Sequence, residues 1–256
     1  ILLASLASGV SRAKNLLISE DVMATIQAVK KLGIQINLKK KECKIYGKGL
    51  NGYIYKKNII IDAKNSGTLA RILPGLLINS NHKIKIVGDK SLSKRDFKRI
   101  ADPLKKFGAN LSLKNGKKLP MIINGLAKPR SIKYFEAKGS AQCKSSVIFA
   151  GLRANGTTLI KAKKSRNHTE LLCKHLKIPI TVKKKNELDI IKVKKVKKIK
   201  SFDYNIPSDI SSSAFFMVLT ALSEKSILKI KDVNINPSRT GIVTILKKMG
   251  VKIIFK

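Results

Sequence analysis

Hydrophobic positions along the 256-residue chain fall into two helical patterns separated by short alternating segments. The first pattern is amphipathic: Val22, Ile26, Val29 and Leu32 keep helical spacing, as do Phe97, Ile100, Leu104 and Phe107, then Leu172 with Leu176, then Ile242, Leu246 and Met249. Each stretch runs into a Leu-Gly-like junction and an apolar strand start, as in Leu32-Gly33-Ile34, Phe107-Gly108-Ala109, Leu176-Lys177-Ile178 and Met249-Gly250-Val251. The junctions stand at 33, 108, 177 and 250, at intervals of 75, 69 and 73. A period of that size predicts a repeated supersecondary unit. The second pattern is apolar nearly all round, at 69–78, 147–152 and 214–222, and predicts buried helices. Segments 83–87, 158–161 and 227–230 alternate Lys with aliphatics and predict strands with one face in water. The class that follows is α/β, with buried helices surrounded by amphipathic helices and outer sheets. Pro103 is expected to kink or restart the helix that begins near Arg95.

Small polar residues open each apolar helix: Asn65-Ser66-Gly67-Thr68, Gly139-Ser140-Ala141-Gln142 and Asp209-Ile210-Ser211-Ser212-Ser213. Their serines at 66, 140 and 211 lie 74 and 71 residues apart. A helix start carries unpaired N–H groups and partial positive charge, and small hydroxyl residues let an oxyanion approach. The plain alternative is that these are ordinary N-caps. Their repetition and the Ser-Ala-Gln composition favour the anion.

At 28.3 kDa the chain can bury one large core or two small ones. Its net charge of +39 would ordinarily point to nucleic acid. Yet only eight of the 54 basic residues are Arg, aromatics are 5% and Trp is absent, whereas nucleic-acid surfaces favour Arg forks and stacking rings. The excess of Lys therefore reads as background composition, and the run 190–200 as a strand and turn with solvated lysines. No apolar run approaches the roughly 18 residues of a membrane span, and residues 1–10 lack a basic leader pattern, so a cytoplasmic protein without membrane contact is expected. Cys43, Cys143 and Cys173 are too few and too far apart for a disulfide framework or a zinc spacing, and are expected to be reduced. The chain begins inside the apolar helical pattern of Ile1, Leu2, Leu3 and Leu6 and stops just after a strand, so both ends are expected to be cut from a longer sequence.

Five motifs, in order along the chain, carry a resemblance. Asn65-Ser66-Gly67-Thr68 with Arg71, Gly88-Asp89-Lys90-Ser91-Leu92-Ser93-Lys94-Arg95, Ser140-Ala141-Gln142-Cys143-Lys144-Ser145, Ser165-Arg166-Asn167-His168-Thr169-Glu170 and Asn236-Pro237-Ser238-Arg239-Thr240-Gly241 resemble those of 5-enolpyruvylshikimate-3-phosphate synthase. The Ser-Ala-Gln-x-Lys and Arg-Asn-His-Thr-Glu wording is nearest to the divergent bacterial class. The resemblance implies the enolpyruvyl transferase fold: two domains of three βαβαββ repeats, each an inside-out α/β barrel, closing like a clamshell. Residues 1–207 would form nearly all of one domain, and 208–256 the first repeat of a truncated second one.

The implied reaction transfers the enolpyruvyl group of phosphoenolpyruvate to the 5-hydroxyl of shikimate 3-phosphate, through a tetrahedral intermediate that loses phosphate. By resemblance the chain is an enzyme of the shikimate pathway, a monomer at full length, without metal or organic cofactor. The family's proton-transferring carboxylate and lysine groups would lie outside these residues, leaving the isolated chain incomplete and inactive. Ser140, Ala141, Gln142 and Arg166 match the shikimate 3-phosphate site, and Gly67, Arg95 and Gln142 match the phosphoenolpyruvate site, with Asn65 and Arg71 in support. Plainer readings stand beside these: a capped helix at Ser140, a surface ion pair of Arg166 with Glu170, a solvated charge run around Arg95, turn chemistry at Gly67. His168 and His175 are expected on a helix surface or in packing. The nearest rival is the transferase that acts on UDP-N-acetylglucosamine, which carries a cysteine in the loop equivalent to 88–95, where this chain has none. A noncatalytic RNA-binding domain is the alternative from another class.

Overall fold

A computed structural model of the protein describes residues 1–255. Two units separate by their internal packing, Ile1–Tyr204 and the part from Asn205 onward. The first unit is written in repeats. It begins with α1 (Leu2–Ser5), β1 (Ala7–Lys14), α2 (Glu20–Lys31), β2 (Gln35–Lys39) and β3 (Glu42–Lys48). There follow β4 (Ile59–Asp62), α3 (Gly67–Leu76), β5 (Ile84–Val87), α4 (Lys90–Ser93), α5 (Lys98–Lys106), β6 (Asn110–Lys114) and β7 (Lys118–Asn124). The third set is β8 (Lys133–Glu136), α6 (Ala141–Gly151), β9 (Thr157–Lys163), α7 (His168–His175), β10 (Ile180–Lys185) and β11 (Leu188–Lys194), after which comes β12 (Ile199–Lys200).

The three sheets share one topology. Their strand orders are β4-β5-β7-β6, β8-β9-β11-β10 and β12-β1-β3-β2, with a parallel first pair and antiparallel partners beyond it. In the first sheet β12 stands where β4 and β8 stand in the others, with Ile199 opposite Ala7. Among the described residues none of these sheets closes on itself into a barrel.

The junction residues behave alike. Gly33 and Gly108 have φ of 87° and 103°, and Lys177 takes the same left-handed turn at 54°. That conformation ends a helix by turning its last carbonyls onto the next backbone N–H groups. The amphipathic helices lay Ala24, Ala28, Ile100, Ala101, Leu104 and Cys173 into one core, and α3 and α6 run through it. Every residue of α6 from Cys143 to Gly151 is buried. Small residues make that possible, since a β-carbon on Gly75 would stand only 2.0 Å from the Ser146 carbonyl oxygen. Of the two expectations for Pro103, restarting is not seen: α5 runs on through it. Proline's missing N–H forfeits one bond, which burial of Ile100 and Leu104 on either side outweighs.

The second unit holds α8 (Ile210–Leu222) and α9 (Gly241–Lys248). Asp209 caps α8, accepting from Ser211 N at 3.1 Å, and Arg239 pairs with that carboxylate at 3.0 Å. Two expectations fail here. The apolar helix is not buried: only Ile210 is, and Phe215 is 80% exposed. Segment 227–230 forms no strand, and Ile227 is 97% exposed. Alternation selects a strand only where a neighbouring strand completes the hydrogen-bond ladder, and among the described residues none pairs with this segment.

Among the described residues no helix is long and apolar enough to cross a membrane. All three cysteines are free and buried; burial pushes the Cys173 thiol up to about 12, with the Glu170 charge adding to it.

Candidate functional site

Apart from Arg166, the expected site residues gather where α3 and α6 begin. Ser66 caps α3, accepting from Leu69 N at 3.1 Å, and Ser140 caps α6, accepting from Cys143 N at 3.3 Å. Gln142 ties the two starts together: its Nε2 donates to Thr68 Oγ1 at 3.1 Å and its Oε1 accepts from Arg71 Nη1 at 2.8 Å. Further along, Gly75 meets Ser146, so the helices run side by side in the same sense. Both positive ends therefore face one place, where each adds to the attraction for an anion.

Arginines surround it. A β-carbon on Gly67 would stand 3.0 Å from Arg95 Nη1 and 3.4 Å from Arg71 Nη1. Arg95 donates to Asn65 Oδ1 at 3.3 Å, and Asn65 donates to Asp89 Oδ2 at 2.6 Å. The hydrogen bonds from Asn65 and Leu92 N hold the Asp89 carboxyl below its ordinary range. Arg71 lies over the Phe97 ring at 5.5 Å, and its buried Nε has no hydrogen-bond partner. Burial first, and then the neighbouring Arg99 and Arg95, pull the Arg71 guanidinium down from its usual value. Like charges gathered in this way are stabilised by an anion placed between them. Thus Asn65, Gly67, Arg71, Arg95 and Gln142 form one contiguous group, with Ser140 and Ala141 at its α6 edge.

Arg166 stands on the loop entering α7. It is exposed and makes no ion pair among the described residues, so the surface pair with Glu170 is not formed. Glu170 instead turns inward, where its Oε1 lies 2.6 Å from Lys144 Nζ, with Asp189 Oδ2 at 3.9 Å from the same nitrogen. Lys144 is wholly buried. The attraction is coulombic, because neither Nζ nor either Glu170 oxygen finds a well-directed hydrogen bond. Alongside, Ser145 and Thr169 share a hydroxyl hydrogen bond of 2.7 Å. A β-carbon on Gly139 would lie 3.1 Å from the Lys164 carbonyl. These contacts bolt the loop that carries Arg166 to the start of α6. His175 packs edge-on against Tyr204 at 5.8 Å, and His168 lies exposed.

Lys144, Glu170 and Thr68 escaped the sequence reading as contributors. A signal existed for Lys144: a helix apolar on every side has no water-facing stripe, so its one lysine had to be buried and paired.

Residues 1–255 match the sequence model described as EPSP synthase (3-phosphoshikimate 1-carboxyvinyltransferase). The chain belongs to this family. It is 39% identical over 258 residues to a 3-phosphoshikimate 1-carboxyvinyltransferase of Sulfurihydrogenibium sp. (strain YO3AOP1), covering 100% of this chain and 59% of that protein. It is 40% identical to the one of Ruthia magnifica subsp. Calyptogena magnifica, covering 99% of this chain and 57% of the relative. An EPSP synthase structure from Acinetobacter baumannii superposes with a TM-score of 0.86 at 34% identity, covering 97% of this chain and 56% of that one. The chain therefore spans between half and two thirds of the length of the EPSP synthases it matches.

Proposed function

We propose that this chain supplies the binding half of an enolpyruvyl transferase site, at which phosphoenolpyruvate gives its enolpyruvyl group to the 5-hydroxyl of shikimate 3-phosphate with loss of phosphate. One observation carries the reading: Gln142 joins two parallel helix starts beneath a group of arginines. Two polyanions held side by side need such fixed donors, which cost little reorganisation when negative charge shifts during reaction. Gly67, Arg95 and Gln142 would receive phosphoenolpyruvate, with Asn65 and Arg71 orienting them. Ser140, Ala141, Gln142 and Arg166 would receive shikimate 3-phosphate.

Carboxylates near this place are taken up in local hydrogen bonds: Glu136 accepts from Lys138 N and Ser140 N, Asp89 from Leu92 N and Asn65 Nδ2, and Asp96 from Lys98 N. The chain's contribution is therefore binding and not proton transfer. The same reading takes 1–207 as one domain and 208–256 as part of a second, folded as inside-out barrels in a cytoplasmic, monomeric enzyme. The chain alone is expected to release no phosphate from phosphoenolpyruvate, and release that depends on shikimate 3-phosphate would overturn its reading as the binding half.

Calorimetry tests the two halves of the site separately. Arg166→Ala is expected to weaken shikimate 3-phosphate about tenfold or more, the loss that follows from removing a charged hydrogen bond of roughly 1.5–3 kcal/mol. Unchanged affinity would remove Arg166 from the site. Gly67→Ala is expected to act on the other substrate. Its methyl would press the Arg95 guanidinium, a flexible tip that can swing away, so the fold survives while phosphoenolpyruvate loses its donor. Equal weakening of both substrates would make Gly67 structural only.

A further inference from the structure

At the far ends of α3 and α6 lies a polar cavity of about 480 Å³. The eleven residues of α6 separate it from the helix starts by about 16 Å, at 1.5 Å of rise per residue. Arg153, just past α6, reaches into it and is only 8% exposed. Its guanidinium makes one hydrogen bond among the described residues, from Nη2 to Asn51 Oδ1 at 2.7 Å. Among the described residues no acid pairs with it, and no carboxylate lines the cavity. Asn51, Asn79, Ser80 and His82 bring polar side chains to the wall, beside aliphatic ones such as Leu76 and Leu77.

Buried charge ordinarily comes with a partner, because desolvation costs several kcal/mol that only an opposite charge offsets. Tyr53 does not supply one: burial pushes its phenol up to about 12, leaving it neutral at ordinary pH. The Tyr55 hydroxyl is also buried without a well-directed hydrogen bond, although Ser80 and the backbone of Asn81 and His82 stand near it. Desolvation accordingly draws the Arg153 guanidinium down to about 10. A fixed cation without a counter-ion thus borders a space that is large enough for a small metabolite.

We propose that this cavity binds a small organic anion, whose carboxylate or phosphate group pairs with Arg153, with Tyr53 and Tyr55 in the surrounding wall. The site is separate from the one at the helix starts, and it shares with that site only the two helices that join them.

Tyrosine ring NMR tests this on the whole chain, titrated with inorganic phosphate in one arm and acetate in the other, against chloride at equal ionic strength. The Tyr53 and Tyr55 signals are expected to move saturably in the arm whose chemistry the cavity prefers. Tyr134 lies near Arg99 and reports any phosphate taken up at the other site. Arg153→Met should weaken the Tyr53 and Tyr55 response about tenfold or more, as loss of a charged hydrogen bond does, while the Tyr134 response persists. Asn51→Asp offers a second variant that keeps the fold, because a carboxylate placed against the guanidinium becomes its internal counter-ion and should exclude the anion. No saturable movement in either arm, or the same movement in both variants, overturns the proposal.

Discussion

Glu170→Ala is expected to lower the unfolding free energy of this chain by about 3–5 kcal/mol, the cost of stranding one member of a buried ion pair. Lys144 has no other full partner, since Asp189 is 3.9 Å away and lies nearer the surface. Domains commonly hold about 5–15 kcal/mol in all, so the loss is a large share. Lys144→Met should cost at least as much, because it leaves both Glu170 and Asp189 facing apolar neighbours. Replacing the pair together, as Lys144→Met with Glu170→Leu, should recover much of the loss, since apolar side chains of similar size often substitute for a buried pair. Urea unfolding measures all three. A Glu170→Ala loss below about 1 kcal/mol, the scale of an exposed pair, would show that the two charges are hydrated after all.

Gly75→Ala should be nearly as damaging for a different reason. Its methyl would stand 2.0 Å from a backbone oxygen of α6, which cannot rotate away as the Arg95 side chain can from Gly67. The helices must part, and overpacking of that kind costs typically 1–3 kcal/mol. Parting them also stretches the bridge from Gln142 to Thr68 and Arg71. Both substrates should therefore bind more weakly in Gly75→Ala, whereas Gly67→Ala weakens one. Thermal unfolding together with calorimetry separates the two glycines. A Gly75→Ala chain with unchanged midpoint and affinities would mean that α3 and α6 have slack between them.

Much of this arrangement is legible in the chain because it is repeated. Ser66 and Ser140 announce their helices by the same local chemistry, and Gly33 and Gly108 end two others with the same backbone turn, so four weak local signals agree at one period. What could not be read depended on neighbours. Alternation at 227–230 matches that at 84–87, yet only β5 has strands on both sides. The apolar face of 214–222 matches that of α6, yet only α6 has a core around it. Lys144 was hidden by the opposite problem: among 54 basic residues, one buried lysine resembles the solvated ones unless its helix is read as a whole.

The position of β12 bears on how the first unit is assembled during synthesis. Ser11 and Phe202, which hydrogen-bond beside the β1–β12 pair, lie 191 residues apart. At about 5–20 residues per second, the ribosome leaves β1 with one edge unpaired for roughly 10–40 s. The second and third sheets draw all their strands from consecutive segments and have no such delay. The amino-terminal sheet should then be the last to acquire full amide protection, and the exposed edge of β1 the place where a nascent chain is most open to pairing with a stranger.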